Sequence, residues 1–171
     1  MSDSIQAKIA RFAAYVPAKQ ANLDEFKKVY EANRHRVYSF AFWMTDNELA
    51  AEELSESTFR RVFAMSQPPD EEMVDRLLLA EIRELGPVGI LTLDCGVTKE
   101  VESVRSNVKR IHLERAVVQL PSTERMIFVM HDGEGYSHER IARTIGISED
   151  ESREGLHQAR LRIRQLVAQM K

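Results

Sequence analysis

The first 85 residues contain no glycine at all, and the glycines of the chain fall at positions 86, 89, 96, 133, 135, 146 and 155. A stretch of that length without glycine lacks the residue that most readily takes the positive φ of tight hairpins, so it favours helix. The apolar residues agree. Phe26, Val29, Tyr30, Val37, Phe40, Ala41 and Met44 recur at helical steps and share one face. Thr45-Asp46-Asn47-Glu48 offers a second helix start, with Thr45 capping and Glu48 reaching back, or Asp46 capping alone. Ala51, Leu54, Thr58 and Val62 continue a stripe flanked by Phe59 and Phe63, and Pro68-Pro69 ends it. Val74, Leu77, Leu78, Ile82 and Leu85 predict a further short helix, and residues 5–16 another before residue 20. Phe40, Phe42 and Trp43 read as core aromatics.

Residues 86–100 break this pattern with Gly86-Pro87, Gly89 and Gly96, and read as part of a linker. The run Val88–Leu93 within it could form a short strand or pack on either side. Beyond it, Val101, Val104, Val108, Ile111 and Val118 resume helical spacing. Leu120-Pro121-Ser122 predicts a break and a new helix capped by Ser122, closed by Gly133 and Gly135. Ser137 caps a short helix through Ile145, Gly146 takes the turn, and Ser148 caps the last helix with Glu151 completing a capping box. The expected organisation is all-α: a helical domain at 1–85, a linker at 86–104 and a second helical domain at 105–171.

The segment from Ser137 to Arg164 has the proportions of a helix-turn-helix, whose second helix enters the major groove of DNA. On that helix Ser152, Leu156, Ala159, Ile163 and Leu166 make an inward stripe, and Arg153, His157, Arg160 and Arg164 make the opposite face. Arg suits both phosphate and guanine. The charge distribution fits: residues 1–104 carry 12 Lys+Arg against 18 Asp+Glu, and residues 105–171 carry 12 against 9. Glu149, Asp150, Glu151 and Glu154 oppose DNA at the helix start while suiting the helix dipole.

Other chemistries find little support. Cys95 is the single cysteine, which excludes an internal disulfide and a cysteine-based zinc site. His35, His112, His131, His138 and His157 form no HExxH, and there is no phosphate loop, GxSxG or dinucleotide motif. No metal, cofactor or catalytic residue is expected. His131-Asp132 before Gly133 reads as a helix end rather than a catalytic couple, which would need His131, Asp132, His138 and Glu139 to converge. The start Met1-Ser2-Asp3-Ser4 lacks the features of a signal peptide, no run is long enough for a membrane span, and a cytoplasmic location is expected.

Two blocks of residues carry a family resemblance. Val37-Tyr38, Asp46 and Ala51-Glu52-Glu53-Leu54-Ser55-Glu56-Ser57-Thr58-Phe59 form the first. Leu120-Pro121, Gly135-Tyr136-Ser137-His138-Glu139-Arg140-Ile141-Ala142, Gly146-Ile147-Ser148 and Leu156-His157-Gln158-Ala159-Arg160 form the second. In order and spacing they resemble regions 2 and 4 of bacterial sigma factors of the extracytoplasmic-function type. The resemblance implies a sigma-like transcription initiation factor with core RNA polymerase, promoter DNA and an anti-sigma factor as partners. It implies a polymerase-facing surface at Glu52, Glu53, Leu54, Ser57 and Phe59. It implies a promoter-facing surface at Ser148, Ser152, Arg153, His157, Arg160 and Arg164. The chain also departs from the family pattern. Residues 64–104 hold no aromatic side chain, although unstacked bases need aromatic or Arg platforms. The family's Thr-Val-Lys-Ser-Arg is Glu151-Ser152-Arg153-Glu154-Gly155 here, and Gly155 costs a helix about 1 kcal/mol relative to Ala. These departures motivate a second reading, an interaction protein of the same fold that binds polymerase or an anti-sigma factor without melting DNA.

Overall fold

In a computed structural model the chain parts into two units, residues 1–84 and 85–171. The structure describes residue 7 and residues 23–65, 68–96 and 109–170. Every regular element among them is helical. The helix expected near residues 5–16, and the apolar positions Val101, Val104 and Val108, lie outside the described residues. No helix among the described residues is long and apolar enough to cross a membrane.

The first unit contains α1 (Leu23–Thr45), α2 (Glu48–Ala64) and α3 (Glu71–Leu85). Its core is aromatic. The Tyr30 and Phe59 rings meet edge to face at 4.9 Å, and Phe26 and Phe63 approach at 4.7 Å between centroids. Val37, Phe40, Ala41, Leu54, Val62 and Ile82 are buried with them, whereas Leu85, expected on the apolar stripe, is exposed at the end of α3. A charge pair links α1 to α3 within this unit: Arg36 on α1 donates to the buried carboxylate of Asp75 on α3.

The start of α2 differs from the expected cap. Thr45 still belongs to α1 and donates its hydroxyl back to Ala41 O at 2.8 Å. Asp46 takes the left-handed φ of 51° that ends α1. The capping role therefore passes to Asn47, whose Oδ1 accepts Ala50 N–H at 2.9 Å.

The second unit contains α4 (Arg110–Val117), α5 (Ser122–Phe128), a π-helical turn (Val129–Gly133), α6 (His138–Ile145) and α7 (Glu149–Gln169). The long α7 packs against α4, α5 and α6. Pro121, not Ser122, holds the N-cap position of α5 and no side chain caps it; Ser122 is already the first helical residue. Arg125 closes the preceding bend by donating to Leu120 O at 2.8 Å and also to Val118 O.

Residues 86–96, read from sequence as linker, belong to the second unit and form neither strand nor helix. Val88 is buried, and side chains of α5 and α7 accept the segment's amides: Gly89 N–H on Thr123 Oγ1, Thr92 and Leu93 N–H on Glu124 Oε1, Cys95 N–H on Gln158 Oε1. A slack tether would leave those amides to water.

The aromatic core of the first unit predicts a specific loss. Phe59→Ala should destabilise it by about 3–5 kcal/mol, seen as a lower denaturant midpoint with unchanged slope. A midpoint equal to the parent protein's would place the Phe59 ring at the surface instead.

Candidate nucleic-acid interface

The helix-turn-helix is built by local signals. Ser137 Oγ accepts Arg140 N–H at the start of α6, and Gly146 ends that helix with φ 83°, which only glycine adopts without strain. Ser148 and Glu151 close a full capping box on α7: Ser148 Oγ accepts Glu151 N–H at 3.1 Å, and Glu151 Oε2 accepts Ser148 N–H at 2.7 Å. These backbone and hydroxyl donors also hold the Glu151 carboxyl below its ordinary range. The box consumes the Ser148 side chain, so any DNA contact at Ser148 has to compete with a cap.

The expected two-sided character of α7 is present. Leu156, Ala159, Ile163 and Leu166 are buried, and Arg153, His157, Arg160 and Arg164 are exposed. Ser152 is a correction. It is fully buried and hydrogen-bonded to His138 Nδ1 at 2.9 Å, so it joins α7 to α6 and presents nothing to a groove.

The exposed arginines are not equivalent. Arg153 pairs with Glu149 at 2.6 Å and Asp150 at 2.9 Å within its own helix. Exposed pairs of this type contribute at most about 1 kcal/mol, so a phosphate can replace them at little cost. Arg160 is held more firmly. Its Nε and Nη2 both donate to Asp132, at 3.0 and 2.6 Å, from a π turn 28 residues earlier. The two-point fork fixes the guanidinium plane. His157 and Arg164 make no ion pair among the described residues.

The π turn creates this arrangement. Glu134 N–H bonds to Val129 O and Tyr136 N–H to Met130 O, which widens the helix end. His131 and Asp132 then reach toward α6 and α7. His131 Nδ1 bonds Asp132 Oδ1 at 2.8 Å, and the His131 ring stacks on His138 at 4.7 Å. His131 and Asp132 end the helix as expected and also meet His138, but the partners in this cluster are Arg160 and Ser152, and Glu139 is exposed. Burial pushes the Asp132 carboxyl up, yet the Arg160 and His131 hydrogen bonds together bring it below its ordinary range. Burial lowers the His138 imidazole, and the nearby His131, Arg153 and Arg160 charges lower it further. Sequence reasoning had no means to pair Asp132 with Arg160. The one available signal was an acidic residue at a helix end ahead of an arginine face.

In the first unit the residues expected to meet polymerase separate into two groups. Glu52 and Glu53 are exposed on α2, while Leu54 and Phe59 are buried in the core and cannot form a docking surface. Ser57 is half-buried and bonds Glu81. The accessible edge of α2 is thus Leu49, Glu52, Glu53 and the partly exposed Glu56.

A histidine titration followed by NMR checks the cluster. His138 should titrate below 6.5, the ordinary value, and Asp132 below 3.8. Both folded-state values are depressed, so both groups contribute stability that is lost on acidification: His138 as pH falls below about 6.5, Asp132 below about 3.8. A His138 midpoint above 6.5 would contradict the cationic surroundings described.

Comparison with known proteins agrees with this geometry. Residues 102–163 match the family model for sigma-70, region 4. Over 165 residues the chain is 27% identical to the ECF RNA polymerase sigma factor SigE of Mycolicibacterium smegmatis, covering 87% of this chain and 64% of that protein. The chain therefore spans somewhat under two thirds of that relative's length. Its fold matches the complex of the sigma factor RpoE with the anti-sigma factor NepR from Bartonella quintana, with a TM-score of 0.61 and 16% identity over 85% of this chain and 98% of the matched chain. In its second unit the chain is thus similar to sigma-70 region 4, and over most of its length it is similar in sequence and fold to sigma factors.

Proposed function

We propose that the protein is a sigma-like transcription initiation factor that binds core RNA polymerase and directs it to promoter DNA. The observation that carries this reading is α7: one face is buried in the second unit and the other exposes Arg153, His157, Arg160 and Arg164 directly after a helix-turn-helix turn. Arg153 and Arg164 serve as phosphate contacts, because Arg153 can trade its carboxylates for phosphate and Arg164 stands exposed. Arg160, oriented by Asp132, presents its remaining N–H groups in a fixed direction. The promoter surface therefore consists of Arg153, His157, Arg160 and Arg164, with Ser148 as a cap and Ser152 excluded.

The polymerase surface on this reading is the exposed edge of α2. Leu49, Glu52, Glu53 and Glu56 combine an apolar side chain with three carboxylates. That combination suits a basic partner surface with an apolar patch. An anti-sigma factor would act by covering either surface, in keeping with the anti-sigma complex that gives the fold match.

The test is in vitro transcription with purified core polymerase on promoters obtained by mapping the tagged protein on its genome. Promoter-specific transcripts are expected; polymerase binding without open complexes would favour the non-melting interaction protein instead. In the same system Arg153→Ala and Arg164→Ala should each weaken DNA binding and reduce the salt slope by about 0.9. Unchanged slopes would remove both residues from the interface.

A further inference from the structure

Two arginines on the exposed face of α7 have carboxylate partners, and the two partnerships differ in kind. Arg153 meets Glu149 and Asp150, which sit on its own helix with side chains 45% and 96% exposed. Either carboxylate can swing into water. Arg160 meets Asp132, whose side chain is 26% exposed and which belongs to the π turn instead of α7. That carboxylate is held from two sides. Its Oδ1 accepts Arg160 Nη2–H at 2.6 Å and bonds His131 Nδ1 at 2.8 Å, and its Oδ2 accepts Arg160 Nε–H at 3.0 Å. The turn itself is tied to the neighbouring helices: the His131 ring stacks on His138, and His138 Nδ1 bonds Ser152 Oγ. Displacing Asp132 breaks the fork and the His131 bond together, so an arriving anion finds this pair closed.

A closed pair changes what Arg160 offers. The guanidinium carries five N–H donors. Asp132 takes Nε–H and one on Nη2, which leaves the end of the fork, on Nη1 and Nη2, directed away from the carboxylate. Two N–H groups side by side match the paired oxygens of a phosphate. At longer range the pair is electrically neutral, so it adds little to the attraction between a basic surface and DNA of any sequence. Arg160 stands three turns along α7, about 16 Å from its start. The first residues of such a helix reach base edges, so a group that far along meets the sugar-phosphate backbone. Backbone contacts set register. A fixed donor sets it more strictly than a mobile one, because the contact forms only when a phosphate lies in one direction.

We propose that Asp132, outside the helix-turn-helix, is a specificity-determining residue of the promoter interface: it neutralises Arg160 toward DNA at large and aims it at one backbone phosphate in the correctly registered complex. Arg160 is the contact, Asp132 the positioning residue and His131 its support. This rests on the sigma-like reading of α7. The consequence is a pair of changes of opposite sign: removing this acid strengthens DNA binding and weakens discrimination.

The experiment measures the affinity of the full chain for two duplexes across a salt series. One is a promoter duplex recovered by mapping the tagged protein on its genome, and the other a scrambled duplex of equal length and composition. Asp132→Asn keeps the shape of the side chain and removes its charge. The scrambled duplex should then bind about threefold tighter, with a salt slope steeper by about 0.9. The ratio of promoter to scrambled affinity should fall about tenfold. Arg160→Lys keeps the charge and loses the fork, so the ratio should fall without the gain on scrambled DNA. The Arg160 Nε–H resonance should be sharp in the parent chain and broadened by exchange in Asp132→Asn, and thermal melts check that each variant is folded. Should Asp132→Asn not fold, Arg160→Lys carries the test. Weaker binding to both duplexes at an unchanged ratio would make Asp132 a structural residue only, and an equal gain on both would reduce it to bulk charge. Either result overturns the proposal, as does an Arg160→Lys chain that discriminates as well as the parent. The sigma-like reading survives those results as long as the parent prefers the promoter duplex. A parent that binds both duplexes alike sinks that reading and this proposal together.

Discussion

The second unit depends on one packing constraint, the burial of a single face of α7. Leu156, Ala159, Ile163 and Leu166 lie against the shorter helices, and the fully buried Ala159 adds little bulk to that face. Once that face is committed, the 3.6-residue period sends residues 153, 157, 160 and 164 to the opposite side. The basic face is thus a consequence of the core. Gly146 and the Ser148–Glu151 box set where the helix begins, and so which arginine stands nearest its N-terminus.

Charge on that face is held in balance. Acidic residues at the start of α7 favour the helix dipole and keep Arg153 paired, and Asp132 keeps Arg160 paired. A DNA partner would enter by exchanging phosphate for carboxylate at Arg153, while Arg160 would keep its geometry. Such a surface discriminates against loose electrostatic attraction and rewards a partner that matches the fixed positions. The chain's small net negative charge points the same way.

What could be read from sequence was local. Ser137, Gly146 and the Ser148–Glu151 box act within four residues, and the structure places each as its residue type requires. The inward stripe of α7 was equally legible from its period. Two caps were misplaced, because Thr45 bonds backward to Ala41 and Pro121 displaces Ser122 from the cap, and neighbouring candidates of similar propensity decide between themselves only in the folded chain. Leu54 and Phe59 were given to a surface because a motif marks residues without saying which way they face. The features that no pattern revealed all join distant positions: Asp132 with Arg160, Ser152 with His138, and Leu91, Glu124 and Gln158 around Gly155. Gly155 looked like a defect in a helix until the side chain that occupies its space was seen.

The central claim is that the exposed face of α7 meets DNA. It is tested most directly by amide and side-chain chemical shifts of the isotope-labelled full chain, titrated with promoter duplex. The account predicts changes centred on Arg153, His157, Arg160 and Arg164, fading as salt rises, with the Phe59 and Phe63 core of the first unit unmoved. Shifts confined to the first unit, or no shifts even at low salt, would contradict it.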